Sequence, residues 1–167
     1  MKIVDGTERP ARVVTASSDL SLLASLRASL RSEPALRLCS EESDAAAAVT
    51  AAVTHAAAVC ILDDRLDGGS VAATAELAAR LPGTKVIALV SDPSPHDLRA
   101  HVRAGVAGYL PRTMSMERMP HIVDAVLRGS AAIPRRLLTL LVADFRDSAP
   151  RRRPVAESDL GGVLTSR

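Results

Sequence analysis

Two adjacent carboxylates, Asp63 and Asp64, end an apolar run in the stretch AAAVCILDDRLDGG, residues 56–69. A run of this kind is typical of a buried strand, and an acid at its carboxyl end lies at an edge where sites form. Carboxylate oxygens are hard ligands that suit Mg²⁺, and carboxylates also hold the metal in phosphoryl transfer. Asp63 and Asp64 are therefore the first candidates for a metal or phosphate site.

The residues at the ends of other apolar runs are the next candidates. Because the carboxyl ends of parallel strands share one edge of a sheet, such residues are expected to gather around Asp63. They follow the first, fourth and fifth runs and are Ser17, Ser18, Asp19, Val90, Ser91 and Arg112.

The elements that position these residues alternate between short apolar runs and helical periodicity. Strands are predicted at residues 11–17, 35–40, 57–62, 85–90 and 107–110. Leucines at 20, 23, 26 and 30 predict the first helix, and further helices are predicted at 44–55, 70–81, 94–105 and 115–129, the last interrupted at Pro120. Since the strands are continuous apolar runs, both of their faces must be covered, which predicts a doubly wound parallel α/β sheet.

The composition limits the classes of protein. Of 167 residues 47% are hydrophobic and 1% aromatic, and the formal net charge is +2, too small to indicate a nucleic-acid surface on the folded part. The first ten residues lack the apolar stretch of a signal peptide, and no run approaches the ~20 residues of a membrane span. We therefore expect a cytoplasmic protein without a membrane partner, with Cys39 and Cys60 as reduced core residues.

The chain after residue 129 has a different character. Leucines and a valine at 137, 138, 141 and 142 predict an additional amphipathic helix at 135–145, within a segment bounded at 130–147. Residues 148–167 are rich in Pro, Gly, Ser and Arg and are predicted to be a linker. Its arginines at 151–153 are interpreted as a solvated charge run rather than a contact to DNA phosphates. Residues 1–10 are predicted to be a short tail.

Residues 11–129 resemble the receiver domain of bacterial response regulators. Five strand–helix units, an acid after the third strand and the segment RAGVAGYLPR, residues 103–112, carry the resemblance, and this segment is similar to that of the NarL/FixJ group. The final LTSR resembles the start of the LuxR-type helix-turn-helix domain, which is otherwise absent. The resemblance implies a flavodoxin-like sheet with strand order 2-1-3-4-5, and a DNA-binding transcription regulator as the whole protein.

In this family an aspartate after the third strand accepts a phosphoryl group, and two acids after the first strand help it to hold Mg²⁺. Here Asp63 corresponds to the acceptor. The two acid positions correspond to Ser17 and Ser18, and Asp19 occupies one of them only if the alignment is shifted by one residue. Neutral hydroxyls are poor ligands for Mg²⁺, so weak or no metal binding is expected.

Three further positions complete the family's pocket. The family has a serine or threonine after the fourth strand, and the corresponding residue here is Val90. The neighbouring Ser91 is expected to point to the opposite side of the strand. The family's lysine corresponds to Arg112, which keeps the positive charge but carries it on a broader, planar guanidinium group. The sole tyrosine, Tyr109, matches an aromatic that swings inward in the family, and Val90 cannot give it the usual hydrogen-bonded coupling.

These departures predict a degenerate pocket. The chain is expected to act as a regulatory receiver, not an enzyme, without Mg²⁺-dependent phosphorylation and with a doubtful sensor kinase. A further option is that Arg112 pairs with Asp63 and locks the pocket in one state. Asp64 is interpreted as a solvated loop acid.

Alternatives stay open at this point. Asp63 could still be phosphorylated in a rearranged pocket, the domain could sense a small molecule, or it could serve only to hold two DNA-binding domains together as a dimer. A homodimer is expected in each case, and candidates for its face are Arg99, Arg103, Met116, Arg118, Met119 and Ile122. The four histidines have no metal-like spacing, and His96 and His101 are expected on an exposed helix face.

Overall fold

The computed structural model describes residues 9–148. Five strands form one parallel sheet in the order β2-β1-β3-β4-β5, as predicted. The strands are β1 Ala11–Ala16, β2 Leu36–Glu42, β3 Val59–Asp63, β4 Lys85–Val90 and β5 Gly108–Pro111. The helices are α1 Leu20–Arg31, α2 Ala45–His55, α3 Ser70–Arg80, α4 Pro95–Ala104, α5 Met119–Leu127 and α6 Arg135–Ser148.

Alternate residues of the central strands face two separate layers of helices. Ile61 of β3 packs with α1 and α5 on one face, and Leu62 packs with α2 and α3 on the other. Both are fully buried, which explains why the strand sequences are continuous apolar runs. A third cluster joins α4 and α6 to β4 and β5.

The last helix of the predicted receiver begins differently from the prediction. A short 3₁₀ turn, Met116–Arg118, leads into α5, and Pro120 lies in the first turn of that helix. Proline is tolerated there because the first amide groups of a helix have no intrahelical partner. Pro120 therefore helps to start the helix, and the predicted interruption is wrong.

The segment after α5 is only partly helical. Residues 130–133 are not part of a helix, and Ala132 forms a parallel bridge with Gly108 of β5. The predicted amphipathic helix is present as α6 and extends to Ser148. Most of the predicted linker and of the predicted N-terminal tail lies outside the described residues. Within residues 9–148, no helix has the length and apolar character that a membrane crossing requires.

Candidate functional site

Asp63 is the buried centre of the site. It ends β3, and 1% of its surface is exposed. β1 runs parallel beside β3, so Ser17, just after β1, reaches the same edge. The Ser17 hydroxyl donates to Asp63 Oδ2 at 2.5 Å, and the backbone N–H of Arg65 donates to Oδ1 at 3.2 Å. Both carboxylate oxygens therefore have donors from this chain.

The Arg112 guanidinium lies between two carboxylates. Its backbone N–H donates to the carbonyl of Val90 at 2.8 Å, which fixes the start of the loop after β5. Its Nε is 3.4 Å from Asp63 Oδ1, and its Nη2 donates to Asp19 Oδ2 at 2.8 Å. The Arg112 side chain is only 11% exposed. The charge of Asp63 is thus balanced inside the pocket by an arginine of the same chain.

Asp19 connects this pocket to the start of α1. Its Oδ1 accepts the N–H groups of Ser21 at 2.9 Å and Leu22 at 3.2 Å, so it caps the helix. The Leu22 N–H is the largest cause that lowers the pKa of Asp19, and the Ser21 N–H and Arg112 act in the same direction. Asp19 is therefore held ionised opposite Arg112.

These residues do not fit the Mg²⁺ site that the resemblance implies. Mg²⁺ requires near-octahedral oxygen ligands and is usually held by one or two carboxylates. The oxygens of Asp63 are engaged by Ser17 and Arg65, and Asp19 is engaged by Arg112, whose positive charge would repel the ion. Ser18 is exposed and has no hydrogen bond to either carboxylate. Between residues 9 and 148, no cluster of three or more His, Cys, Asp or Glu is arranged to hold a metal.

The loop after β4 is bound to Asp64 rather than to Asp63. Val90 is fully buried, and its side chain has no group to donate. The backbone N–H and the hydroxyl of Ser91 donate to the two oxygens of Asp64 at 2.7 and 2.9 Å. Asp64 is half-buried and anchors this loop, so its interpretation as a solvated acid is wrong. A short-range pattern could not reveal this pairing, because the partners are 27 residues apart.

Tyr109 lies fully inside the protein. Its hydroxyl donates to Asp97 Oδ2 at 2.7 Å and accepts the backbone N–H of Ser94 at 3.2 Å. Burial is the largest cause that raises the pKa of Tyr109, and the hydrogen bond to Asp97 raises it further. Asp97 thus holds the tyrosine inward by a contact that involves neither Val90 nor Asp63.

His101 extends this polar network to α3, and its predicted exposure is wrong. It is 1% exposed, and its ring meets that of Tyr109 edge-on with centroids 5.3 Å apart. Nδ1 lies 3.0 Å from the carbonyl of Asp97, which only accepts, so Nδ1 carries a proton. Nε2 lies 3.0 Å from the hydroxyl of Ser70, which donates to it when the ring is neutral. His96 is exposed, as predicted.

Ser70, Ser94 and Asp97 were not among the predicted site residues. A signal for two of them exists in the sequence, because Ser94 and Asp97 have the spacing of a helix cap. The Ser94 hydroxyl accepts the Asp97 N–H at 3.1 Å. No sequence pattern indicates that Asp97 also reaches Tyr109.

The residues predicted for a dimer face divide into two groups. Met116 and Met119 are buried in the core, and the Met116 carbonyl accepts from the Ser29 hydroxyl at 2.6 Å. Their assignment to an exposed face is wrong. The exposed or half-buried members are Arg99, Arg103, Arg118 and Ile122. The cysteines also differ: Cys60 is buried as predicted, whereas Cys39 is only half-buried.

An open groove leads away from the pocket along α1. It has a volume of about 880 Å³ and lies between α1 and the loop that follows β5. Arg65, Arg112 and Asp19 line one end, and serines of α1 line its length. The volume is within the range of small-molecule sites.

Comparisons with known proteins identify the fold. No family model and no curated protein matches the chain. Among solved structures, the receiver domain of the response regulator NarL from Mycobacterium tuberculosis superposes with a TM-score of 0.67 at 21% identity, covering 72% of this chain and 98% of that one. A LuxR-family two-component response regulator from Aurantimonas sp. SI85-9A1 gives 0.74 at 16% identity, covering 83% and 99%.

A third structure shows two RcsB dimers bound to two parallel DNAs, and gives a TM-score of 0.70 at 20% identity, covering 80% of this chain and 69% of that one. The fold is that of a receiver domain. More specifically, the chain has the fold of receivers from response regulators of the NarL/LuxR type, which confirms the predicted fold class and strand order.

Proposed function

We propose that this chain is a regulatory receiver domain that works without Mg²⁺-dependent aspartyl phosphorylation. The observation that carries the proposal is the engagement of both oxygens of Asp63: Oδ2 accepts from Ser17, and Oδ1 accepts from the Arg65 N–H and lies 3.4 Å from Arg112 Nε. A phosphoryl donor must reach one of these oxygens, where it competes with these internal partners.

The balance of charge supports the same proposal. Transfer of a phosphoryl group needs positioned cations to offset the negative charge of the donor. Arg112 is the cation nearest Asp63, and it is already paired with Asp19 at 2.8 Å. Arg65 lies in the groove but is exposed to solvent.

The position of Tyr109 supports a state set by the chain itself. In the family that the sequence resembles, the aromatic at this place swings inward together with a hydroxyl residue that Val90 replaces here. Tyr109 is nevertheless inside, held by Asp97 and Ser94. We infer that the inward state does not depend on a phosphoryl group at Asp63.

The wider role follows from the resemblance and from the neighbours in structure. One neighbour in structure shows RcsB dimers bound to DNA, and residues 103–112 resemble a segment of NarL/FixJ receivers. We propose that the domain belongs to a cytoplasmic, homodimeric transcription regulator, in which it has a regulatory rather than a catalytic role.

Intact-mass measurement tests the proposal directly. The protein is incubated with acetyl phosphate and Mg²⁺, beside Asp63→Asn as a control and a receiver with a complete acid pair as a positive control. No adduct on the folded protein is the expected result. An adduct on the parent chain that is missing from Asp63→Asn contradicts the proposal and makes Asp63 a working phosphoacceptor.

The groove favours a second candidate, the sensing of a small polar molecule. Its lining combines the guanidinium groups of Arg65 and Arg112 with serine hydroxyls, beside the carboxylates of Asp19 and Glu117. Amide shifts confined to α1 and the loop after β5, on addition of polar metabolites, are the expected signature. Shifts spread over all surfaces indicate weak non-specific contact instead.

A further inference from the structure

Two charges of opposite sign line the open groove along α1, which is here called the α1 groove. Arg65 lies at the end next to the Asp63 pocket, and Glu117 follows the loop after β5. Both residues are exposed, and neither forms an ion pair between residues 9 and 148. Arg112 also lines the first end but is already paired with Asp19, so Arg65 is the cation of that end that is available to a bound anion.

A hydrogen bond across the groove shows how far apart the two charges lie. The Ser29 hydroxyl donates to the carbonyl of Met116 at 2.6 Å, which places Glu117, the next residue, beside the C-terminal part of α1. Asp19, the partner of Arg112, lies at the start of the same helix. Positions 19 and 29 are about 15 Å apart along the helix, at about 1.5 Å per residue. The positive and the negative end of the α1 groove are therefore separated by roughly this distance.

The serine hydroxyls between the two ends have already used their protons. Ser25 donates to the carbonyl of Ser21 at 3.0 Å, and Ser32 donates to the carbonyl of Ser29 at 2.6 Å. The Ser29 proton is used in the bond to Met116. Because a hydroxyl has one proton but two lone pairs, these oxygens can still accept hydrogen bonds. A molecule that fills the groove must therefore supply donors along its length.

From these observations we propose that the α1 groove binds an unblocked short peptide, with its ammonium group beside Glu117 and its carboxylate beside Arg65. An extended chain spans at most about 3.3–3.6 Å per residue, so about four residues cover the length of the groove. The amide N–H groups of such a peptide are the donors that the serine oxygens require. A guanidinium suits the carboxylate because its planar fork can donate to both oxygens.

This inference deepens the second candidate of the proposed function, the sensing of a small polar molecule, and rests on it. A carboxylate beside Arg65 remains in the groove and does not have to reach the oxygens of Asp63, which are engaged inside the protein. The groove can therefore be occupied while the pocket keeps its internal contacts.

Titration of the whole chain with tetra-alanine, followed by amide chemical shifts, tests the inference. Shifts are expected in residues 21–32 and 113–117, with saturation at millimolar concentration. N-acetylated tetra-alanine lacks the ammonium group, and tetra-alanine amide lacks the carboxylate. Each blocked peptide is expected to bind about threefold more weakly, as is typical for the loss of an exposed ion pair. Di-alanine is too short to reach both ends and is expected to bind more weakly by at least the same factor.

Two variants assign each end of the peptide to its partner. Glu117→Gln is expected to weaken the binding of tetra-alanine about threefold but to leave the N-acetylated peptide unaffected. Arg65→Gln is expected to weaken tetra-alanine by a similar factor but to leave the amide unaffected. Arg118→Gln is the matched control, since this exposed neighbour of Glu117 does not line the groove, and its affinity for tetra-alanine is expected to equal that of the parent chain.

The outcomes separate this inference from the proposals on which it rests. Equal affinities of the free and the blocked peptides overturn the pairing of the two charges with the peptide ends. No shift with tetra-alanine at millimolar concentration overturns the peptide as ligand, and the second candidate then stands only if other polar metabolites shift the same amides. The intact-mass experiment reports on Asp63 alone, so its result does not decide which molecule the groove binds.

Discussion

Replacement of Arg112 by methionine tests most directly whether Arg112 is the counterion of the buried Asp63. The Arg112 Nε and the Asp63 Oδ1 are 3.4 Å apart, and the two side chains are 11% and 1% exposed. At an effective dielectric constant of about 20, opposite unit charges at this distance attract by about 5 kcal/mol. Arg112→Met keeps much of the apolar stem but leaves Asp63 buried without its cation, and removal of one partner of a buried pair costs about 3–5 kcal/mol.

The expected loss is large for a domain of this size. Free energies of unfolding are typically about 5–15 kcal/mol, so Arg112→Met is expected to remove at least about a fifth of the stability. The melting temperature is expected to fall by roughly 6–20 °C, at about 2–4 °C per kcal/mol. The exposed pair with Asp19 adds little to this loss, since solvent screens it.

A double-mutant cycle followed by urea unfolding at pH 7 isolates the pairwise interaction. In an Asp63→Asn background, Arg112→Met is expected to cost less than half as much as in the parent chain, because no buried charge is left behind. Arg65→Met is the control, since that exposed side chain forms no ion pair within residues 9–148, and its effect is expected within about 0.5 kcal/mol. An equal loss of unfolding free energy on Arg112→Met in both backgrounds would show that Arg112 does not act as the counterion of Asp63.

Two further predictions concern single residues of the interior. Tyr109→Phe removes the donor to Asp97 and the acceptor of Ser94, and is expected to cost about 1–3 kcal/mol, measured by urea unfolding; a cost near zero would show that the hydroxyl does not hold the ring inward. Burial raises the pKa of Cys60 from 9.0 to about 12. Between pH 9 and about 12, the Cys60 thiol therefore loses its proton in the unfolded chain but keeps it in the folded chain. The free energy of unfolding is expected to fall over this range, by up to about 1.4 kcal/mol per pH unit. Cys60→Ala is expected to reduce this slope, and an unchanged slope assigns it to other groups.

The strands could be predicted because they depend on local composition, whereas their order was an expectation that came from the resemblance to receiver domains. Continuous apolar runs such as that of β4 have no plausible place except a parallel sheet covered on both faces. The position of Asp63 followed from the end of such a run. The contact of Arg112 with both Asp63 and Asp19 was only partly predicted, since the pairing with Asp63 was one option and the shorter contact with Asp19 was not considered.

Other features had no local signature. His101 lies in a helix rich in polar residues, and its partner Ser70 is 31 residues away, so only the packing of α4 on α3 buries it. The pairing of Ala132 with β5 uses backbone groups, which every residue except proline has. Met116 and Met119 have a spacing that suits either a core or a surface, and tertiary packing decides between them.

The internal counterion also changes what sets the duration of a signal. An aspartyl phosphate has its own lifetime, since hydrolysis returns the receiver to its resting state independently of the protein's turnover. If the receiver works without phosphorylation, as proposed above, the pocket that Ser17 and Arg112 fill has no such limit, and its state lasts as long as the folded chain does. Under the proposed function, the strength of regulation then follows the number of copies in the cell, and its persistence follows their rate of degradation.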